Sequence, residues 1–154
     1  MKSSFISRPA GLLILICFFL PWLTITNPLM NVSLTGYEMA FGFDSRKFGD
    51  TTGSNVSLNE GDLTTLIIPA FGVIALGASF AGRGLSRAAY FAAGGIGVAL
   101  MLIVMNQIQS NMQEFQPFVS PSFEIAWWLM LLSMVALIGA GWLAHQEKEP
   151  DPWQ

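Results

Sequence analysis

One cysteine, one histidine and a few carboxylates are the side chains of this sequence with the clearest chemical potential, and their spacing argues against most of it. Cys17 stands alone, so the exchange between two cysteines that thiol oxidoreductases need is excluded. His145 is the single histidine, which excludes two imidazoles from one chain on a haem iron. At the end of an apolar run it reads as a polar anchor near a helix C-terminus. No cluster of His, Cys, Asp and Glu has the spacing of metal ligands. Asp62 and Glu124 each precede an apolar run, where a carboxylate is stabilised by the positive end of a helix dipole. A shallow cation site formed by these two acids with Asn106, Gln107 and Gln109 is the functional alternative.

The elements that would position these groups follow from composition. The chain has 154 residues, 53% hydrophobic and only 11% charged. Water-soluble domains carry about 25% charged residues, and disordered chains carry still more charge with less apolar content. An integral membrane protein is the class that remains. With a net charge of -3, there is no electrostatic reason to expect nucleic acid.

A helix crosses a bilayer core with about 20 mostly apolar residues, and four runs approach that length: 10–26, 63–82, 88–108 and 124–144. The predicted fold is a single all-α domain, a bundle of four transmembrane helices with an ordered outer segment at 27–62 and a cytoplasmic tail at 145–154. Pro21 and Pro69 are candidate kinks in the first two spans. The first run is expected to be a retained span rather than a cleaved signal peptide, because Pro21-Trp22-Leu23-Thr24 follows it where small residues should stand. Nor does Cys17, preceded by Leu15-Ile16, resemble a lipidation site.

Lys and Arg are retained on the cytoplasmic side. With both termini inside, Lys2, Arg8, Arg83, Arg87 and Lys148 are cytoplasmic, and only Arg46 and Lys47 lie outside. Arg83 to Arg87 then forms a tight inner turn. Trp22, Trp127 and Trp128 fall at the outer level and Tyr90 and Trp142 at the inner one, as expected of interfacial rings.

Helices in lipid associate by close packing of small residues. Gly77 with Ala81 in the second span, Ala93, Gly95, Gly97 and Ala99 in the third, and Ala136 and Ala140 in the fourth are the predicted packing positions. An antiparallel pairing of the second and third spans is the expected central contact.

The outer segment carries the most specific pattern. NVSL occurs at Asn31–Leu34 and again at Asn55–Leu58, and extended pieces there predict a small hairpin or cap. From Leu34 to Phe43 the stretch is apolar but for Glu38, with Leu34, Tyr37, Met39, Phe41 and Phe43 as candidate partner contacts. It suits an interfacial helix, a plug over the bundle or a docking surface.

The Leu-Pro-Trp of Leu20 to Trp22, followed by SLTGYEMAFG from Ser33 to Gly42, resembles small bacterial four-span membrane proteins. There a Leu-Pro-Trp end of helix one precedes Ser-x-[ST]-Gly-x-[EQ]-x-Ala. The resemblance covers about a sixth of the chain and implies a topology and a bacterial cytoplasmic membrane, with no activity attached. The layout is also similar to claudin-type tetraspans, whose paired loop cysteines and Trp-rich motif are absent here.

Polar groups deep in a membrane are costly and are kept mainly for function, and this chain has almost none. The expectation is a non-catalytic protein, not an enzyme and without cofactor or metal. It would be an accessory or structural subunit whose partners are other membrane proteins and lipids. A homo-oligomeric transporter or channel, lined by Thr64, Thr65, Ser79 and Ser133, is the alternative.

Overall fold

A computed structural model describes residues 3–27, 30–42, 63–80, 83–113 and 120–146. The chain is mostly helical, with five α-helices and one three-stranded sheet among the described residues. In order these are α1 (Ser4–Phe18), β1 (Pro21–Asn27), β2 (Met30–Thr35), α2 (Gly36–Phe41), a 3-10 turn (Leu63–Leu66) leading into α3 (Ile67–Ala78), α4 (Arg83–Gln113), β3 (Ser120–Phe123) and α5 (Ile125–Gln146).

Among the described residues two helices are long and apolar enough to cross a membrane, α4 and α5. At 1.5 Å per residue α4 runs about 46 Å and α5 about 33 Å, against a hydrocarbon layer of about 30 Å. Only 28% of the apolar window of α4 is buried within the chain. The interior helix of a water-soluble globule is covered by its own protein, and this one leaves most of an apolar surface for something else to cover.

The first expected span differs from what is observed. A single helix over 10–26 is replaced by α1, which starts earlier and stops at Phe18, and by β1 from Pro21. Proline disfavours helical geometry at the residue before it, and the β-branched Thr24-Ile25-Thr26 suits a strand. Pro21 therefore ends the helix where a kink was expected. Pro69 is the third residue of α3, where the missing N–H would have had no helical partner. The expected inner turn at Arg83–Arg87 is instead the first turn of α4. Nothing in Arg-Gly-Leu-Ser-Arg forbids helix, and the α3 helix has already given way to a turn at Ser79 and Phe80.

Helix α1 packs on α3 and α5, and α4 packs on the same two. Directions follow from specific contacts. Gly11 of α1 meets Gly72 of α3 so closely that a Cβ on either would press on the other's carbonyl, and Arg8 reaches Ser79 beyond the end of α3. The two run antiparallel. Between α4 and α5, Gly97 lies on Met134, Gly94 on Met134 and Ile138, and Phe91 on Gly141, again antiparallel. Ile14, Ile68, Met101, Met130, Met134 and Leu137 form the fully buried centre.

The sheet caps one end of these helices in the order β2-β1-β3, both pairings antiparallel. The extended piece at Val32–Thr35 is confirmed as part of β2, but its partner is β1; the second NVSL copy lies outside the described residues. β3 joins from the segment before α5, so strands far apart in the chain share one sheet.

Candidate functional site

At the sheet end, the corner after α1 is built around one indole. The carbonyl of Cys17 accepts the Trp22 Nε1–H at 2.7 Å and the Leu20 N–H at 3.2 Å, which satisfies a helix-terminal acceptor that would otherwise lack a partner. Trp22 is fully buried and stands edge-on to Phe18 at 5.8 Å and to Trp127 at 5.6 Å. Its own carbonyl accepts the Glu124 N–H at 2.9 Å and so anchors the start of α5. Phe123 closes the cluster, 5.1 Å from Trp127.

The resemblance motif lies on the other side of that indole. A Cβ at Gly36 would run into the Trp22 ring, so only glycine lets β2 turn into α2 there. Thr35 caps α2: its Oγ1 accepts the Glu38 N–H at 3.1 Å, while a Glu38 carboxylate oxygen accepts the Thr35 N–H at 2.9 Å. This reciprocal pair satisfies two helix-end donors at once. Ala40 is fully buried, and Gly42 ends the helix at φ 92°, a conformation open to glycine. Thr35, Gly36, Glu38 and Ala40 thus each have a structural role set by Trp22 and α2.

What this frame holds outward is an aromatic row. Phe19 stacks on Tyr37 at 6.1 Å, and Tyr37 meets Phe41 at 4.8 Å. The three are 64%, 48% and 55% exposed. Of the candidate contacts, Tyr37 and Phe41 therefore face out. Leu34 and Met39 are half-buried, Met39 against the core, and Phe43 lies outside the described residues. Phe19 escaped the sequence reading because it sits in the first apolar run; its place just before Leu-Pro-Trp was the available signal.

The small residues divide between two faces. Ala93, Gly97 and Ala140 are buried between helices, and Ala136 is half-buried. A Cβ at Gly97 would run into Met134. Gly77 and Gly95 have open space where a Cβ would stand, Ala99 is exposed, and Ala81 lies outside the described residues. The close contacts at Gly11, Gly72, Gly94 and Gly141 were not singled out in the sequence. On the open side of α4, Ala88, Ala92, Gly95 and Ala99 follow one another at helical spacing, all exposed.

The opposite end is built from hydroxyls and arginines. Ser7 Oγ donates to the Tyr90 hydroxyl at 2.9 Å, both buried, joining α1 to α4 across the interior. The Arg8 guanidinium lies 4.6 Å from the centre of the Phe80 ring, and its Nε–H donates to Ser79 Oγ at 3.4 Å.

No set of three or more His, Cys, Asp or Glu close enough to hold a metal occurs among the described residues. Glu124 is half-buried and Asn106, Gln107 and Gln109 are exposed; Asp62, the other acid of the shallow cation site, lies outside the described residues. Ser133 and Ser79 turn their hydroxyls onto the Leu129 and Leu76 carbonyls of their own helices. No protein-family model, curated protein or solved structure matches this chain.

Proposed function

We propose that the protein is a non-catalytic, four-span bundle of a bacterial cytoplasmic membrane, with both termini in the cytoplasm, and that it serves as an accessory subunit docking on the helices of a larger membrane assembly. The observation that carries this reading is the open face of α4. Ala88, Ala92, Gly95 and Ala99 make a close-approach surface on the longest apolar helix, and among the described residues, apart from the adjoining turns of α4 itself, nothing lies within 4 Å of a Cβ built at Gly95. Small residues spaced in this way let two backbones approach within a bilayer, where close contact rather than escape from water drives association.

Charge supports the topology. Arg8, Arg83 and Arg87 gather where α1 and α4 begin, while the described acids, Glu38 and Glu124, belong to the sheet end. With the helices alternating in direction the sheet and the arginines fall on opposite sides, and the retention of Arg on the cytoplasmic side supports the reading with the sheet outside. The two short helices cross with help. α3 and its 3-10 turn together reach about 26 Å. α1 reaches only about 22 Å, and α2, which lies against Leu63–Leu66, fills the remaining depth beside Trp22. That puts Phe19, Tyr37 and Phe41 at the outer interfacial layer, where aromatic rings concentrate.

The test is purification in mild detergent with a tag, followed by mass spectrometry of what comes with it. A stoichiometric membrane partner that is lost with Gly95→Leu is the expected result. A homo-oligomer without partners that moves a solute in liposomes would replace this reading with the transporter alternative.

A further inference from the structure

The helices of the bundle do not reach equally far. On α4 the stretch between the exposed Arg87 and the exposed Asn106 is about 28 Å at 1.5 Å per residue. From Glu124, just before α5, to His145 is about 32 Å. Both suit a hydrocarbon layer of about 30 Å. On α1 only about 18 Å separates Arg8 from the corner at Leu20, and the 3-10 turn and α3 together cover about 22 Å from Thr65 to Ser79. α1 packs on α3 and α4 on α5, so one flank of the molecule is short and the other long. Tilting a helix only lessens its reach, so no tilt closes the gap.

Both ends of the short flank are pinned. At one end the Arg8 guanidinium lies on the Phe80 ring and donates to Ser79, which holds it at the end of α3 rather than letting it stretch towards more distant water. At the other end α2 lies against both α1 and the 3-10 turn, and the Glu38 carboxylate is engaged there in the Thr35 cap. A carboxylate is costly in hydrocarbon, so the water-facing level of this flank is reached at α2. Between the two levels the apolar side chains stay bare: Leu12, Ile16 and Val73 are 53%, 49% and 59% exposed.

We infer that the α1–α3 flank faces lipid directly, holds the bilayer several ångströms thinner than the α4–α5 flank does, and gathers the shorter acyl chains around itself. Lipid thins around an apolar stretch that is too short for it when the groups at its ends cannot stretch to make up the difference. The inference rests on the membrane-spanning reading proposed above.

The test compares two positions at one height. Ser7 and Tyr90 share a hydrogen bond, and α1 and α4 both run from the arginine end towards the sheet. Phe19 and Leu102, each the same number of residues further on, therefore stand level, and both are exposed. Nitroxides are attached singly at Phe19→Cys, Leu102→Cys and Leu12→Cys in a Cys17→Ala background, and their depth in dioleoyl phosphatidylcholine is read from collisions with oxygen and with a water-soluble nickel chelate. Leu12 is expected deep, and Phe19 shallower than Leu102 by about 4–5 Å, the length by which α4 outlasts α1. In dimyristoleoyl phosphatidylcholine, whose bilayer already suits the short flank, the difference should vanish. Equal depths in the longer lipid with Leu12 deep would overturn the thinning alone. A Phe19 label shielded from both reagents would overturn it as well, because protein rather than lipid would then cover the flank. Free access of the chelate to all three labels would sink the membrane reading beneath it.

Discussion

The two ends of the helical core are held together by opposite means. At the sheet end, apolar area and shape dominate: Trp22, Trp127, Phe18 and Phe123 interlock, and Gly36 is required because an indole occupies the space of its side chain. At the arginine end, Ser7 and Tyr90 share one buried hydrogen bond, and Arg8 holds the turn that follows α3. The difference teaches how the protein divides its stability. A buried tryptophan brings a large contact area to its cluster, while a single hydrogen bond contributes only about 0.5–1.5 kcal/mol net. The sheet end should therefore be intolerant of change and the arginine end permissive.

Substitutions graded across the two ends would break or sharpen that contrast. Trp22→Ala removes the centre of the cluster and the donor to Cys17, and should cost about 3–5 kcal/mol, read as loss of folded protein on denaturant titration in micelles. Gly36→Val should cost about 1–3 kcal/mol by overpacking the same corner; full tolerance would show that Trp22 does not sit on Gly36. Thr35→Ala removes the cap of α2 and should cost about 1 kcal/mol, seen as a lowered Tm, with Thr35→Ser largely restoring it. Smallest of the series is Tyr90→Phe, at about 0.6 kcal/mol. A loss as large as that of Trp22→Ala would invert the comparison.

Much of this was legible in the sequence, and the misses have physical causes. The apolar runs located α4 and α5 because long helices need only length and composition to be seen. The first run misled because apolar content does not distinguish the end of a helix from a buried strand, and the Thr24-Ile25-Thr26 signal was outweighed by its neighbours. β3 was missed for a different reason. Its pairing with β1 joins Phe123 to Leu23 across a hundred residues of chain, which no local pattern reveals. The motif from Ser33 to Gly42 was visible as a pattern, yet its meaning needed Trp22 beside it: spacing alone cannot say that a glycine is there for an indole. Small residues showed where backbones approach closely but not which face does so within the chain. Gly95 and Gly97 are two positions apart on α4, one open and one pressed by Met134.

That pair offers the most direct measurement of the central claim. Gly95→Leu and Gly97→Leu would be compared for folded stability in detergent and for recovery of co-purifying membrane protein. The account predicts that Gly97→Leu lowers stability by about 1–3 kcal/mol through overpacking, whereas Gly95→Leu leaves stability unchanged and loses the partner. A Gly95→Leu protein that keeps every binding partner of the unaltered chain would contradict it.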